Sequence, residues 1–255
     1  MASSSTLARA MKLRILSYNI HKCIGSLDRR YKPERIVETI LHYAPDIVLM
    51  QEVDNEAKRS LRHKQVEVLA EMLDMPHFSW FPNVKVRGGG HHGNAILSKF
   101  PLLDCHNIDI TTPPKKKRSI IYARHRIPIE IGGESHSKTL HLFNMHLGLS
   151  QIERKVQLKK FLDAHPFRGI HSDTPIIVGG DLNDVYGNLG GKLLSPAGFR
   201  TVKKLKATFP SYAPVRTLDG LYVRGKITLH KLDRSRLKLA KQASDHLPLI
   251  ADLEI

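Results

Sequence analysis

One stretch of the chain constrains its fold more than any other, because a short apolar run is followed at once by polar side chains. The run 176–180 reads Ile-Ile-Val-Gly-Gly, which is typical of a buried strand that two glycines end abruptly. Asp181, Asn183 and Asp184 come directly after it. Ligands bind at the carboxyl ends of strands in open α/β sheets. The stretch therefore predicts either a ligand-binding strand end or an Asx turn, and recurrence elsewhere would favour the first.

Polar residues follow or border apolar runs at several other places in the chain. An isolated Glu or His in such a position is more often solvated or structural. Here the pattern recurs, which favours one shared site. The set comprises Asn19, Glu52, His146, Asp181, Asn183, Asp219, Asp245 and His246.

The chemistry of this set points to hydrolysis assisted by a metal ion. Carboxylates and amides suit Mg²⁺, with Mn²⁺ as the alternative, better than they suit zinc. An imidazole held by an aspartate beside such a metal suits the activation of water for attack on phosphorus. The adjacent Asp245 and His246 offer one such pairing.

Length and composition favour one large domain. The 255 residues suffice for one α/β or β-sandwich domain or for two small ones, and no linker-like stretch divides them. We expect a flexible N-terminal segment over residues 1–10 and a single catalytic domain over residues 11–255. We also expect a monomer.

The charge balance favours a polyanionic partner. The formal net charge of +16 suits nucleic acid, an anionic phospholipid surface or a phosphorylated substrate. The loop Lys115-Lys116-Lys117-Arg118 would suit phosphate contact, although such a run is most often solvated surface. Two cysteines without metal-like spacing indicate free thiols and a cytoplasmic location. No run approaches the roughly 20 apolar residues of a membrane span, so a transmembrane segment is not expected, while peripheral membrane contact stays open.

Three further segments allow predictions of local structure. The segment 55–73 predicts a basic amphipathic helix with Leu61 on its core face. The segment 78–81 predicts a strand, either core or an exposed apolar contact. The glycine-rich segment 87–94 precedes a strand and carries His92 and Asn94, which makes it either a phosphate-binding loop or a surface hairpin.

Six short motifs, taken in order, resemble those of the endonuclease/exonuclease/phosphatase superfamily, the DNase I-like enzymes. The likeness spans residues 13–255, and residues 19–22 and 91–94 resemble an uncharacterised bacterial branch. The motifs are Ser17-Tyr18-Asn19-Ile20, Gln51-Glu52-Val53, Gly93-Asn94-Ala95-Ile96-Leu97-Ser98, Asn144-Met145-His146-Leu147, Gly180-Asp181-Leu182-Asn183 and Ser244-Asp245-His246.

The resemblance implies an α/β fold, a four-layer α/β/β/α sandwich of two mixed β-sheets flanked by helices, with the site at their common edge. It also implies a role for each matched residue. Glu52 would bind Mg²⁺ with Asn19 and Asp245. Asp181 would position or deprotonate water, and Asn183 and His146 would hold the phosphate. His246, oriented by Asp219, would stabilise the transition state. We expect substrate contacts from His21, His92, Asn94 and Arg118.

Two departures from the family pattern bear on these roles. Thr217 and Gly220 stand near Asp219 where many members carry a basic residue and an aromatic residue or histidine. His21 follows the Asn19 motif where many nucleases differ. Three functions therefore stay open: a Mg²⁺-dependent phosphodiesterase or nuclease, a phospholipid or phosphoinositide headgroup hydrolase, and a non-catalytic polyanion-binding protein.

Overall fold

Twelve strands and five α-helices make up residues 8–255, the part of the chain that the computed structural model describes. Residues 1–7 of the predicted flexible segment lie outside the described residues, whereas residues 8 and 9 form a short strand. The helices are α1 (Pro33–Tyr43), α2 (Gln65–Met72), α3 (Gln151–Asp163), α4 (Leu189–Leu193) and α5 (Lys238–Ala243). The strands are β1 (Ala8–Arg9), β2 (Lys12–Asn19), β3 (Ile47–Asn55), β4 (His77–Lys85), β5 (His91–Ser98), β6 (Leu102–Asp109), β7 (Ser119–Ile131), β8 (Glu134–His146), β9 (Ile176–Asp181), β10 (Asp219–Arg224), β11 (Thr228–Arg234) and β12 (Leu249–Glu254).

The strands form two mixed six-stranded sheets. The first has the order β11-β12-β2-β3-β5-β4, and only β2 and β3 pair in parallel. The second has the order β1-β7-β8-β9-β10, with β6 also paired to β7, and only β8 and β9 pair in parallel. The parallel pairs bring the carboxyl ends of β2 and β3, and those of β8 and β9, to one end of each sheet.

Alternation of side chains along the strands creates three apolar layers. Between the sheets, residues such as Ile15, Leu49 and Ile177 form the central core. The outer face of the first sheet packs against α1 and α2, and that of the second against α3. The predicted four-layer α/β/β/α sandwich is therefore confirmed. Among the described residues, no helix is both long enough and apolar enough to cross a membrane.

Close packing of β8 and β9 explains why one of the two glycines in the run 176–180 is required. Gly180 has a φ of +137°, and a Cβ atom there would lie 2.0 Å from the carbonyl oxygen of Met145. Only glycine accommodates this backbone without a clash. The close approach brings Asp181 directly opposite His146 in the strand register.

The segment 55–73 is not one helix, so that prediction is wrong. Strand β3 continues to Asn55, a short 3₁₀ turn covers Lys58–Ser60, and α2 begins only at Gln65. Leu61, expected in the core, has a φ of +55° and is 68% exposed. Asp54 accepts hydrogen bonds from Arg59 and Ser60 in this turn, which replace those of the expected helical turn.

Candidate active site

His246 and Asp219 form a buried pair at the site end of the two sheets. Asp219 is the first residue of β10, and His246 precedes β12. Nδ1 of His246 lies 2.8 Å from Oδ2 of Asp219, and the Thr208 hydroxyl donates to the same oxygen. The hydroxyl of Ser244 accepts from the backbone amide of His246 at 3.2 Å. The imidazole is thus held in one orientation, with Nε2 directed toward Asp181.

Charge around His246 favours its protonated form. Burial alone would lower its pKa, but the negative charges of Asp219 and Asp181 and the hydrogen bond from Nδ1 outweigh burial and raise it. At neutral pH the group is therefore an imidazolium, a cation that can stabilise developing negative charge.

Asp181 lies at the centre of the buried group. Its Oδ2 accepts a hydrogen bond from Asn19 Nδ2 at 3.0 Å, and its Oδ1 accepts one from the backbone amide of Asn183, also at 3.0 Å. Nε2 of His146 and Nε2 of His246 lie 3.5 and 3.8 Å from Oδ2. Burial raises the pKa of Asp181, and the charge of Asp219 adds to the effect. The carboxyl therefore holds and releases a proton at a higher pH than an exposed aspartate.

His146 is the neutral imidazole of the site. It ends β8 and is almost completely buried. Burial, together with the positive charge of Arg118, holds the pKa of His146 well below its ordinary value. Asn183, with a φ of +51° that asparagine tolerates, donates from Nδ2 to the carbonyl of Leu147 at 2.9 Å. His146 and Asn183 are thus uncharged groups beside Asp181.

Glu52 reaches the site through an irregularity in β3. Strand β3 runs through Glu52 to Asn55, and its pairing with β5 shifts register between Met50 and Val53. Glu52 occupies this bulge with a φ of +59°, which turns its side chain out of the regular alternation. Burial would raise the pKa of Glu52, but the charges of Lys22 and the nearby histidines lower it further than burial raises it. The group is a carboxylate at neutral pH.

Two places in the site fit a divalent cation. Glu52 forms an ion pair with the Lys22 ammonium, so this position already accommodates positive charge. Asp181, Asp219 and His246 offer ligand atoms within 4.8 Å of one another, and the buried Oδ1 of Asp219 has no hydrogen-bond partner within residues 8–255. His246 is protonated and hydrogen bonded to Asp219, so its imidazole is not free to bind a cation. Glu52 is therefore the better metal ligand, and the group of Asp181, Asp219 and His246 is better suited to proton transfer.

His21 and Asp245 lie at the edge of the buried group. The backbone amide of His21 donates to Oδ1 of Asn19 at 3.1 Å, and its ring Nδ1 lies 2.7 Å from the carbonyl of Ile24. Its Nε2 lies 4.0 Å from Oδ2 of Asp245, which is partly exposed. These contacts bring both residues next to Asn19.

The other three expected substrate contacts lie on the Glu52 side of the site. His92 Nδ1 lies 3.1 Å from Oδ1 of the buried Asp54, a residue the sequence did not single out. Asn94 is fully buried and donates to the carbonyl of Ser119 at 3.3 Å, so it holds the backbone next to Arg118. Arg118 is partly buried, and burial lowers the pKa of its guanidinium.

Several residues that organise the site carried no signal of their own. Asn144 joins the two sheets, because its Nδ2 donates to the carbonyls of Met50 and Ala95 at 2.8 Å and its Oδ1 accepts from Gln51 at 2.7 Å. It belongs to a matched motif, which could have drawn attention to it. Thr208, Ser244 and Lys22 act through partners that only the folded chain reveals.

Comparisons with known proteins agree with this architecture. The chain is 28% identical over 254 residues to the uncharacterized protein YbhP of Escherichia coli strain K12, covering 95% of this chain and 96% of that protein. It superimposes on an endonuclease/exonuclease/phosphatase from Beutenbergia cavernae with a TM-score of 0.75 and 21% identity, covering 97% of this chain and 72% of that one. It also superimposes on a mannosyl-6-phosphatase of Bacteroides thetaiotaomicron with a TM-score of 0.67 and 16% identity, covering 94% and 99%.

The family assignment rests on most of the chain. The characteristic sequence profile of one family of phosphoester hydrolases matches residues 16–246, a span that includes Asn19 at one end and His246 at the other. This match confirms the resemblance seen in the sequence and the hydrolase class that it implied. The chain belongs to the Endonuclease/Exonuclease/phosphatase family.

Proposed function

We propose that this protein is a Mg²⁺-dependent phosphodiesterase or nuclease that hydrolyses a phosphoester bond by in-line attack of water. The observation that carries the proposal is the buried sequence of contacts from Asp219 to His246 to Asp181, beside a separate carboxylate at Glu52. Such a division between proton handling and cation binding is what hydrolysis of a phosphoester requires.

The chain's own residues account for the proton and charge transfers. Water forms a new bond to phosphorus and loses a proton to Asp181, whose raised pKa lets it hold that proton near neutral pH. The ester P–O bond breaks and its electron pair leaves on the ester oxygen, which takes a proton from solvent. His246, fixed by Asp219, stabilises the negative charge that develops on the phosphoryl oxygens.

The remaining groups bind the cation and the phosphate. Glu52, with Asn19 and Asp245, would hold Mg²⁺, which supplies Lewis-acid polarisation of the phosphoryl group when bound. Asn183 and the neutral His146 donate to the phosphate, and Arg118 lies close enough for its charge to act on both Asp181 and Glu52. We further propose one monomeric catalytic domain over residues 11–255 and a cytoplasmic location, which the free Cys23 and Cys105 favour.

A specific observation favours the second candidate, hydrolysis of a phospholipid or phosphoinositide headgroup. Apolar side chains are strongly exposed within six positions of site residues in the sequence: Leu149 and Ile152 after His146 at 76% and 78%, and Tyr186 after Asn183 at 81%. Val215, four residues before Asp219, is 76% exposed. Exposed aliphatic and tyrosine side chains beside an active site suit contact with a membrane interface. The earlier candidate, residues 78–81, lies instead on the edge strand β4, with Phe81 packed against the central core.

A substrate panel tests the proposal. Wild type should hydrolyse at least one of plasmid DNA, RNA, phosphatidylinositol phosphates in vesicles, and bis-p-nitrophenyl phosphate with Mg²⁺, and EDTA should abolish the activity. Asp181→Asn should lose it, whereas Asp74→Asn should keep it, since Asp74 is exposed and its φ of +50° suits asparagine. Hydrolysis only of vesicle lipids would select the second candidate.

Metal binding gives an independent readout. Isothermal titration with Mg²⁺ and Mn²⁺ should show the affinity of Glu52→Gln reduced about a hundredfold, while Glu67→Gln, on an exposed helix face, should match wild type. Equal affinities in wild type and Glu52→Gln would remove Glu52 from the cation site. No hydrolysis together with retained binding of DNA or anionic vesicles would support the non-catalytic polyanion-binding alternative.

A further inference from the structure

A cationic cavity lies beside the catalytic group and is not explained by the scissile phosphate. It has a volume of about 460 Å³, and Glu52 lies in its wall while Asp181, Asp219 and His246 do not. The cavity therefore opens on the Glu52 side of the site. We call it the cationic cavity, and its basic lining residues are Lys22, Arg59, Lys85, Arg87, His92, Lys116 and Arg118.

Among the described residues, four of these seven basic side chains have no carboxylate partner. Lys22 is paired with Glu52, and both Arg59 and His92 contact the buried Asp54. Within residues 8–255, no carboxylate oxygen lies within 4.0 Å of the side-chain nitrogens of the other four, which are Lys85, Arg87, Lys116 and Arg118. A phosphodiester carries a single negative charge, so one scissile group next to a divalent cation leaves this positive charge uncompensated.

The positions of the four cations follow from two chain connections that both line the cavity. Lys85 is the last residue of β4 and Arg87 lies in the turn that follows, where the backbone amide of Val86 donates to the carbonyl of Gly90 at 3.0 Å. Gly90 has a φ of +75°, and a Cβ atom there would lie 2.5 Å from the carbonyl oxygen of Asn55, so the turn packs tightly against the chain after β3.

The second loop, between β6 and β7, carries Lys116 and Arg118. It is closed at its base, because Ile110 donates to the carbonyl of Arg118 at 3.0 Å and the amide of Arg118 donates to Thr111 Oγ1 at 3.1 Å. Arg118 is held partly buried without a carboxylate partner in the part of the chain that the structure describes, and burial lowers the pKa of its guanidinium. An anion placed there would replace the hydration that this guanidinium has lost.

Resting on the proposed function, we propose that the cationic cavity is a subsite for a second phosphate of the substrate, a few bonds away from the scissile phosphoester. Cations from two separate parts of the chain line this cavity and can together bind one phosphate group, and Glu52 in its wall places that group next to the reacting one. The preferred substrate therefore carries two neighbouring phosphates, whether in a nucleotide chain or in a phosphorylated headgroup.

Equilibrium binding tests the subsite without requiring turnover. With Mg²⁺ present, wild type should bind thymidine 3′,5′-bisphosphate about tenfold or more tightly than thymidine 5′-monophosphate. Lys85→Gln/Arg87→Gln should lose this preference and keep its affinity for the monophosphate within about twofold. The matched control Lys12→Gln/Lys231→Gln removes two exposed charges, one at the opposite end of β2 from Asn19 and one on edge strand β11, and should keep the preference.

A second ligand pair separates the two sources of phosphate. Inositol 1,4-bisphosphate and inositol 1-phosphate form the headgroup arm of the same titration. A preference confined to the nucleotide pair would assign the second phosphate to a nucleic-acid chain, and one confined to the inositol pair would assign it to a headgroup. Equal affinities within both pairs, or a preference that survives in Lys85→Gln/Arg87→Gln, would overturn the subsite.

The binding experiment and the hydrolysis assay can fail separately, so the subsite and the proposed function are tested independently. Preference for bisphosphates without any Mg²⁺-dependent hydrolysis would support the subsite and reject the enzyme proposal. Hydrolysis without that preference would support the enzyme proposal and reject the subsite.

Discussion

The buried catalytic group and the cationic cavity lie side by side but are built in opposite ways. In the catalytic group, Asp181 and His246 are almost completely buried, and each is fixed by hydrogen bonds to neighbouring strands or loops. In the cavity, Lys85, Arg87 and Lys116 are exposed and lack carboxylate partners among the described residues. Burial strengthens electrostatic interactions and fixes geometry, whereas exposed cations attract anions at long range but are screened by salt.

This difference separates chemistry from recognition. Groups held rigidly in a low-dielectric setting can stabilise a transition state without reorganisation. Exposed cations on loops adapt to the ligand and contribute mainly to substrate affinity. We therefore expect substitutions in the buried group to change kcat, and those in the cavity to change KM.

The largest effect is expected at His246. His246→Gln removes the imidazolium beside Asp181 and should lower kcat about a thousandfold with Mg²⁺ present, with little change in KM. His106→Gln is a suitable control, because His106 is exposed on β6, where it forms an ion pair with Asp104 and stacks on Tyr122. Steady-state kinetics and a thermal melt of each variant provide the test. A kcat within tenfold of wild type in a folded His246→Gln variant would exclude a direct role for the imidazole.

Substitution of Asn144 tests whether the buried catalytic group depends on the contact between the two sheets. Asn144→Ala removes three buried hydrogen bonds, two of them to the carbonyls of Met50 and Ala95, which should lower the free energy of unfolding by about 3 kcal/mol. Urea denaturation measures this change. Asn107→Ala, at an exposed position of β6, should leave stability within about 0.5 kcal/mol. Equal stabilities would mean that apolar packing alone aligns the two sheets.

The pH dependence of activity should report the protonation states of Asp181 and His246. Catalysis needs Asp181 deprotonated and His246 protonated, so kcat/KM should rise with pH as Asp181 loses its proton and fall as His246 loses its own. Because Asp219 raises the pKa of His246, Asp219→Asn should move the alkaline limb to lower pH by about one unit or more. A profile of kcat/KM against pH for both proteins is the measurement. An unchanged alkaline limb would assign it to another group.

The raised pKa of His246 should also make the stability of the fold depend on pH. His246 binds its proton more tightly in the folded chain than in the unfolded chain, since its folded pKa is raised. It therefore contributes stability that is fully present below its unfolded pKa and is lost as pH rises through the folded value. Asp219→Asn should weaken this dependence in urea denaturation curves measured across that range, while the charge of Asp181 maintains part of it.

The sequence predicted the buried group better than the cavity, for a physical reason. Asn19, His146 and Asp181 each end an apolar strand, and the strand pattern alone indicates that such ends meet. Family resemblance then assigned Asp219 to His246, and the structure places them 2.8 Å apart although Thr217 and Gly220 depart from the family pattern.

Other features depend on contacts that no local pattern encodes. The left-handed backbone at Leu61 interrupts a segment that was expected to be helical, and no local pattern indicated the bulge at Glu52. The Ser244 hydroxyl donates to the carbonyl of Asn19 from 225 positions away. The cationic cavity likewise joins residues from separate loops, so its sequence shows only scattered lysines and arginines, which are usually solvated surface.

The smallest expected effect, at Lys116, gives the sharpest contrast between the two regions. Lys116→Gln removes one exposed cation and should raise KM for a substrate with two phosphates only about two- to fivefold at low salt. The difference should vanish near 0.3 M KCl, where the Debye length falls to roughly 6 Å. Lys231→Gln should leave KM unchanged. The kcat loss in His246→Gln should persist at every salt concentration, because salt screens the buried group far less. A salt-independent KM defect in Lys116→Gln would instead mean that the bound substrate shields this ion pair from solvent, and the contrast between rigid chemistry and screened recognition would no longer apply to that residue.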